Sequence, residues 1–338
     1  MVGLRARAKG LAYQSGALAA YHSLRNAKTL TVVMFHRVLP EPEMTASDAD
    51  PLYTVTPQFL ADCVTFLRKH YMIVRLDDVL NARNGSAPLP DNAVLITFDD
   101  GWRDNLVYAS PALAGVPWTI FVSTDALSDP ECWWQEVLLW SLRAGAATEE
   151  QLWRLAGTEP QVNGIDLSHA LLMHFANLPA NMRNDLLAPY RTMLREKAHG
   201  QMMLAPADLA VLMRNRASIG AHGASHLPMS SLSAEDAKKD LLRARDLIMD
   251  WTGSRDVPPM SFPHGSYNAD VVNSARAAGY PLLFTSDPVL NASNAGWLGG
   301  DLLGRIPIDL HDVADANGKL DPSRLAAWLF LRDIRRPG

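Results

Sequence analysis

Cysteine is nearly missing from this chain, with two in 338 residues, Cys63 and Cys132. That excludes a disulfide framework and zinc-finger spacing, and it makes a reducing compartment the simpler setting. No run of about 18 apolar residues occurs, so no membrane-spanning helix is expected. The N-terminus has neither a long apolar h-region nor a cleavage site, and the expected location is the cytoplasm. Internal repeats and low-complexity tracts are absent too. The net charge of −5 gives no general case for nucleic-acid binding. Acids are missing from the first 40 residues, where Arg5, Arg7, Lys9, Arg25, Lys28 and Arg37 alternate with Leu4, Leu11, Leu18, Tyr21 and Leu24. At the other end Trp328, Leu329, Phe330 and Leu331 run into Arg332, Arg335 and Arg336. Basic amphipathic ends can lie on an anionic membrane surface. The commoner alternative is that both helices pack on the domain and leave their charges solvated.

What is present is an apolar content of 48%, enough for one large α/β domain or two smaller ones. Helical periodicity covers 3–27, followed by a β-rich segment, Thr29–Phe35, and a loop at 39–54. A helix over Pro57–His70, a short strand at 73–74, a helix over Leu76–Arg83 and a strand over Ala93–Phe98 come next. Another helix near 105–114 leads to a strand over Trp118–Val122. Strands alternating with short helices imply a parallel sheet or barrel. That rhythm stops over 130–215, which reads as a helical insertion with a cluster at Trp133, Trp134 and Trp140. It resumes at Ala217–Ala221 and continues through Ala234–Thr252, 260–262, 269–278 and 282–285.

Chemistry gathers where these strands end. The run Leu95-Ile96-Thr97-Phe98 stops in Asp99-Asp100-Gly101-Trp102. Two adjacent carboxylates repel each other and resist desolvation, so a compensating cation is expected beside them, although Asp-Gly is also an ordinary turn. The strand at Ala217–Ala221 ends in His222-Gly223-Ala224-Ser225-His226, two histidines on one face of a turn. Ser261-Phe262-Pro263-His264-Gly265-Ser266-Tyr267 holds a tight turn after a strand, with His264 and Tyr267 as candidate lining of a sugar pocket. His36 ends the first strand. In a parallel barrel such strand ends converge on one face. One Asp and two His would form a facial metal set that suits Zn²⁺ and also accommodates Co²⁺, Ni²⁺, Fe²⁺ or Mn²⁺.

These residues resemble the polysaccharide deacetylases, the NodB-homology carbohydrate esterases of family 4. Thr97-Phe98-Asp99-Asp100-Gly101 resembles the family's first motif, and His222-Gly223-Ala224-Ser225-His226 its second, with Gly223 where Ser or Thr is usual. Phe262-Pro263-His264-Gly265 is a weaker match to the third. Phe35-His36-Arg37-Val38, together with the Trp133-Trp134 insertion, resembles a subgroup common in exopolysaccharide and surface-glycan gene clusters. The resemblance covers roughly residues 30–310.

It implies a distorted (β/α)7-type barrel over 30–312, carrying the insertion at 130–215, with a basic helix over 1–29 before it and a helix over 313–338 after it. It implies metal-dependent N-deacetylation of an amino sugar in a polysaccharide or a lipid-linked glycan precursor, with release of acetate. Asp99 would be the general base, and Asp100, His222 and His226 the ligands of a divalent metal, Zn²⁺ first. A backbone N–H near Gly101 or Trp102 would stabilise the oxyanion. The family's third-motif Arg has no counterpart in Phe262-Pro263-His264-Gly265, and Arg305 in Gly304-Arg305-Ile306-Pro307 is the candidate in its place. For the general acid His311, in Leu310-His311-Asp312, stands first, with His264 and His36 as rivals. His36, Gly101, Trp102, Pro263, Tyr267 and Arg305 are the expected substrate contacts. The alternatives are a deformylase or deacylase acting on a lipid-linked sugar, and a non-catalytic glycan-binding protein on the same fold. The expected partners are the N-acetylated glycan and, through the basic ends, the inner-membrane surface.

Overall fold

The computed structural model describes residues 9–129, 133–157, 167–198, 201–294, 296–298 and 300–335. Six strands run parallel and pair in sequence: β1 (Thr29–Phe35), β2 (Ala93–Phe98), β3 (Trp118–Val122), β4 (Ala217–Ala221), β5 (Met260–Ser261) and β6 (Leu283–Phe284). The chain then lays β7 (Leu290–Asn294) antiparallel against the first residues of β1. It continues with β8 (Leu302–Leu303), parallel to β6, and β9 (Ile306–Pro307), parallel to the end of β1, and Ile334–Arg335 later adds in parallel to β7. We read β8 and β9 as one strand interrupted at Gly304 and Arg305. This seventh strand closes the ring between β6 and β1, which gives the expected distorted (β/α)7 barrel.

Strand parity decides which residues face inward, because side chains alternate along a strand. Leu30, Val32, Ala93, Leu95, Phe121, Phe284 and Leu303 form one buried cluster. Val33, Phe35, Val94, Ile96, Phe98, Ile120, Val122 and Leu283 belong to another, shared with the surrounding helices. The first set is the lumen. Carried forward by two residues, its parity turns Asp99 inward after Leu95 and Thr97, and Arg305 inward after Leu303. On β4 the inward position is Gly220, where an added Cβ would lie 2.4 Å from the Phe121 ring, so His222 also faces in.

The outer helices start where the sequence supplies caps. Thr56 accepts from the Phe59 N–H ahead of Pro57–His70, Ser233 from Asp236 N–H ahead of Ala234–Thr252, and Asn268 from Val271 N–H ahead of Ala269–Ala277. The helix expected over 3–27 is divided at Gly16, whose φ of +78° ends one set of turns before Ala17–Arg25 begins. Within 130–215, Val137, Leu138, Trp140, Leu152, Trp153, Leu171, Phe175, Leu187 and Leu194 form a core of their own. The helix Pro206–Arg214 belongs with the barrel instead, since Leu209 and Leu212 enter the main core.

The C-terminal helix, Pro322–Phe330, buries Leu325, Leu329 and Phe330. Arg332 lies 3.6 Å from the Trp328 ring centroid, and Arg335 pairs with Asp287. Cys63 is buried and free. Leu4, Arg5, Arg7, Cys132 and Arg336 lie outside the described residues. Among those described, no helix is long and apolar enough to cross a membrane.

Candidate active site

The C-terminal ends of β2, β4, β5 and the interrupted last strand deliver charged and polar side chains to one place. Asp99, following β2, is 2% exposed and receives two parallel hydrogen bonds from Arg305, Nη1 to Oδ1 and Nη2 to Oδ2, each 2.7 Å. Arg305 is fully buried. Its Nη2 also donates to Ser261 Oγ (2.7 Å) and its Nε to the Thr285 carbonyl (3.0 Å). Burial alone would neutralise Asp99, but Arg305 and His222 outweigh it and hold the carboxyl below the usual Asp range. Arg305 is thereby removed from the surfaces a substrate could touch. Its two bonds fix the orientation of the Asp99 carboxylate.

The break that admits Arg305 depends on glycine. A Cβ on Gly304 would sit 2.4 Å from Val289 Cγ2 and 2.7 Å from the Asp287 carbonyl. Asn291 on β7 clamps the same point, accepting from Gly304 N–H (2.8 Å) and donating to the Gly304 carbonyl (2.9 Å).

Asp100 divides its two oxygens. Oδ2 accepts from Trp102 Nε1 at 2.8 Å, while Oδ1 faces His226 Nε2 at 3.0 Å and His222 Nε2 at 3.4 Å. Trp102 is itself held from behind by Arg37, whose guanidinium carbon lies 4.1 Å from the ring centroid and whose Nε donates to Asp104 at 2.9 Å. Asp100, His226 and His264 adopt φ of +77°, +55° and +55°, a left-handed conformation that non-glycine residues rarely hold. Such strain concentrates at functional sites.

The imidazoles are fixed from their far sides. His222 Nδ1 meets the Ser261 carbonyl at 2.9 Å, and His226 Nδ1 meets Gln135 Oε1 at 2.8 Å. Both partners are acceptors, so each Nδ1 carries the proton, and in the neutral rings both Nε2 lone pairs turn toward Asp100 Oδ1. Burial favours neutral rings. At His226 it prevails and lowers the pKa, whereas at His222 Asp99 and Asp100 outweigh it and raise the pKa. Asp100 is held well below the usual carboxylate range, because His226 and His222 overcome the effect of its burial. Three electron-pair donors within 4.8 Å of one another thus call for positive charge between them. A divalent cation satisfies all three at once, and an oxygen with two imidazole nitrogens suits Zn²⁺ and its first-row neighbours.

The turn carrying the histidines is shaped by Asp240, whose carboxylate accepts from the N–H groups of Ala224 (2.7 Å) and Ser225 (2.8 Å). Gly223 has φ +67°, and a Cβ there would come within 2.9 Å of Asp240 Oδ1 and Met229 Cε. That accounts for glycine where the family pattern has Ser or Thr.

The remaining expected residues are placed unequally. His36 is half-buried, its ring 4.8 Å from Tyr53, and feels the charges of Asp100 and Asp99. His264 is exposed, with its ring 4.6 Å from that of His226 and Nε2 3.2 Å from the His226 carbonyl. His311 is exposed on the short helix Leu310–Val313 and makes no hydrogen bond to the cluster among the described residues. Pro263 is buried against the Gly223 turn. Tyr267 stacks on Phe262 and donates to Asp287 Oδ2 at 2.7 Å. The Gly101 N–H is spent on the Asp99 carbonyl (3.0 Å), which leaves the Trp102 N–H of the expected pair. Sequence reasoning missed Gln135 and Asp240, which lie in no motif, and gave no role to Ser261, which opens the Ser261–Tyr267 segment.

Residues 180–283 match the family model described as "Polysaccharide deacetylase", a span that includes His222 and His226 but not Asp99 and Asp100. No curated protein matches the chain. Among solved structures, the Streptococcus pyogenes deacetylase PplD in complex with acetate aligns at TM-score 0.57 and 16% identity, over 89% of this chain and 98% of its own. IcaB from Ammonifex degensii aligns at TM-score 0.54 and 15% identity, over 90% and 98%. The de-N-acetylase from Aggregatibacter actinomycetemcomitans aligns at TM-score 0.55 and 16% identity, over 89% and 100%. At these identities the structural matches speak for the fold alone. Residues 180–283 carry a sequence similar to that of polysaccharide deacetylases, on a fold shared with solved deacetylases.

Proposed function

We propose that the protein hydrolyses the acetamide of an N-acetylated amino sugar, in a polysaccharide or a lipid-linked glycan precursor, and releases acetate. The observation that carries this reading is the division of labour between adjacent carboxylates. Asp99 is locked on Arg305 and stands back from the metal-type set, 3.8 Å from His222 Nε2, while Asp100 is turned into that set by Trp102. Asp100, His222 and His226 would hold the metal, with Zn²⁺ first, and when bound it would supply Lewis-acid polarisation of the amide carbonyl and a lowered pKa for water. Asp99, kept ionised by Arg305, accepts the proton of the attacking water. The Trp102 N–H is the backbone donor available to the developing oxyanion.

His36 is the best-placed donor to the leaving amine. It is the half-buried imidazole that feels Asp99 and Asp100 together. Burial lowers its pKa against the pull of those carboxylates, so once protonated it gives the proton up readily. The solved neighbours described as a de-N-acetylase and as a deacetylase holding acetate support acetyl as the group removed.

For location we propose the cytoplasm with peripheral contact to the inner membrane. Support comes from Leu11, Tyr21 and Leu24, exposed on the N-terminal helices of a segment that has no acid before Glu41. The functional test is acetate release from a panel of N-acetylated glycans and lipid-linked sugars, beside their N-formyl counterparts. Activity should vanish with a chelator and in Asp99→Asn, while the fold is retained. Acetate release that survives either treatment rules the reading out.

A further inference from the structure

The two histidines of the metal-type set share one strand end, yet different parts of the molecule fix them. His222 Nδ1 is anchored on a barrel backbone carbonyl, that of Ser261, which no side-chain replacement removes. His226 Nδ1 is anchored on a side chain, Gln135, the second residue of the helix Trp134–Arg143. That helix contributes to the separate core of the inserted region. Gln135 is 1% exposed, and its amide is fully used. Nε2 donates to the carbonyls of Ser225 (3.0 Å) and His226 (3.1 Å), while Oε1 takes the imidazole.

An amide has one donor end and one acceptor end. With two carbonyls holding the donor end, Gln135 cannot flip, and Oε1 can accept only from a protonated Nδ1. Trp133, two residues earlier, closes the other side, its ring edge-on to His226 at 4.8 Å and to Trp102 at 5.3 Å. Trp102 in turn bonds Asp100. One short segment of the insertion therefore bears on two of the three donors.

We infer that Gln135 is a positioning residue that sets the Nδ1–H tautomer of His226, and that docking of the inserted helices thereby controls metal occupancy of the site. The inference rests on the reading of Asp100, His222 and His226 as the metal set. Without Gln135 the His226 ring has no fixed outer partner, and its proton can move to Nε2, where it blocks coordination. Outer partners of metal-binding histidines typically govern affinity by about 10–100-fold.

The test uses full-length protein with ¹⁵N-labelled histidine, stripped of metal. Two-bond ¹⁵N–¹H correlations should show His226 protonated at Nδ1, and the Gln135→Leu variant should shift it toward Nε2–H with His222 unchanged. Zn²⁺ affinity, measured by competition with a chromophoric chelator, should fall about 10–100-fold in Gln135→Leu. Gln135→Glu keeps the acceptor and should keep the Nδ1–H tautomer, although it sets an oxygen against the Ser225 and His226 carbonyls. A packing role alone would change thermal stability without moving the tautomer. Wild-type His226 protonated at Nε2 overturns the inference with no variant needed, so a Leu variant that fails to fold does not protect it. Tight wild-type binding equalled by a folded Gln135→Leu overturns the role of Gln135 and spares the metal reading. Wild-type protein that binds no Zn²⁺ overturns the metal reading and the occupancy claim with it.

Discussion

Replacing Arg305 by Met removes the only guanidinium that bonds Asp99 among the described residues and nearly preserves side-chain volume. The loss is then electrostatic more than steric. Four hydrogen bonds disappear, at 2.7, 2.7, 2.7 and 3.0 Å, and the Asp99 carboxylate keeps only long contacts, to Ser261 Oγ at 3.5 Å and His222 Nε2 at 3.8 Å. Stranding a buried charge by deleting its partner costs about 3–5 kcal/mol. With its main opposition gone, burial raises the Asp99 pKa.

The sign of the pH dependence follows. In the wild type the folded pKa lies below the unfolded value, so the pair stabilises the fold above about pH 4 and that contribution fades as pH falls through the folded pKa. In Arg305→Met burial is unopposed by the guanidinium, and the folded pKa lies above the unfolded one. The variant therefore loses stability as pH rises from about 4 through its new pKa. Urea unfolding in chelator at pH 5 and pH 7 reads both effects, and the deficit should be greatest at pH 7. The Asp99→Asn/Arg305→Met double variant should recover at least half of it, because no charge is left buried. A deficit below about 1 kcal/mol at pH 7 would refute the argument. So would an equal deficit at both pH values with no recovery in the double variant.

Two further outcomes follow from the same geometry. His36→Gln should lower kcat by about a hundredfold or more, with Zn²⁺ affinity unchanged, while His311→Ala stays within a few-fold; the reverse pattern in steady-state and competition measurements would return the acid role to His311. Gly223→Ser restores the family's usual residue yet should destabilise by about 1–3 kcal/mol, since it places a Cβ at positive φ against Asp240; an unchanged melting temperature would show that the turn has room the contacts deny.

Much of the site can be read from residue order. Asp99, Asp100, His222 and His226 stand where apolar runs stop, and strand parity alone turns Asp99 and His222 into the lumen. Gln135 could not be found this way, because 91 residues separate it from His226 and nothing in Trp133-Trp134-Gln135-Glu136 marks its amide as an anchor. The seventh strand was equally hidden. Leu302–Leu303 and Ile306–Pro307 are too short to show a period, and Leu290–Asn294 is rich in polar residues. Arg305 is named from the resemblance as the candidate to orient the catalytic Asp, but the strand break that delivers it to Asp99 has no sequence signal. Helical periodicity over 130–215 likewise cannot say which core an apolar face meets, so Pro206–Arg214 looked continuous with the helices before it.

The interrupted strand also sets an order of assembly. Asp99 is made early in synthesis, whereas its countercharge arrives 206 residues later, on the segment that joins β6 to β1. Until that segment docks, the nascent lumen holds a carboxylate it cannot keep ionised. Sealing the ring and pairing Asp99 are thus one event, and a chain cut short before Arg305 would carry both principal motifs and leave the proposed base without its countercharge.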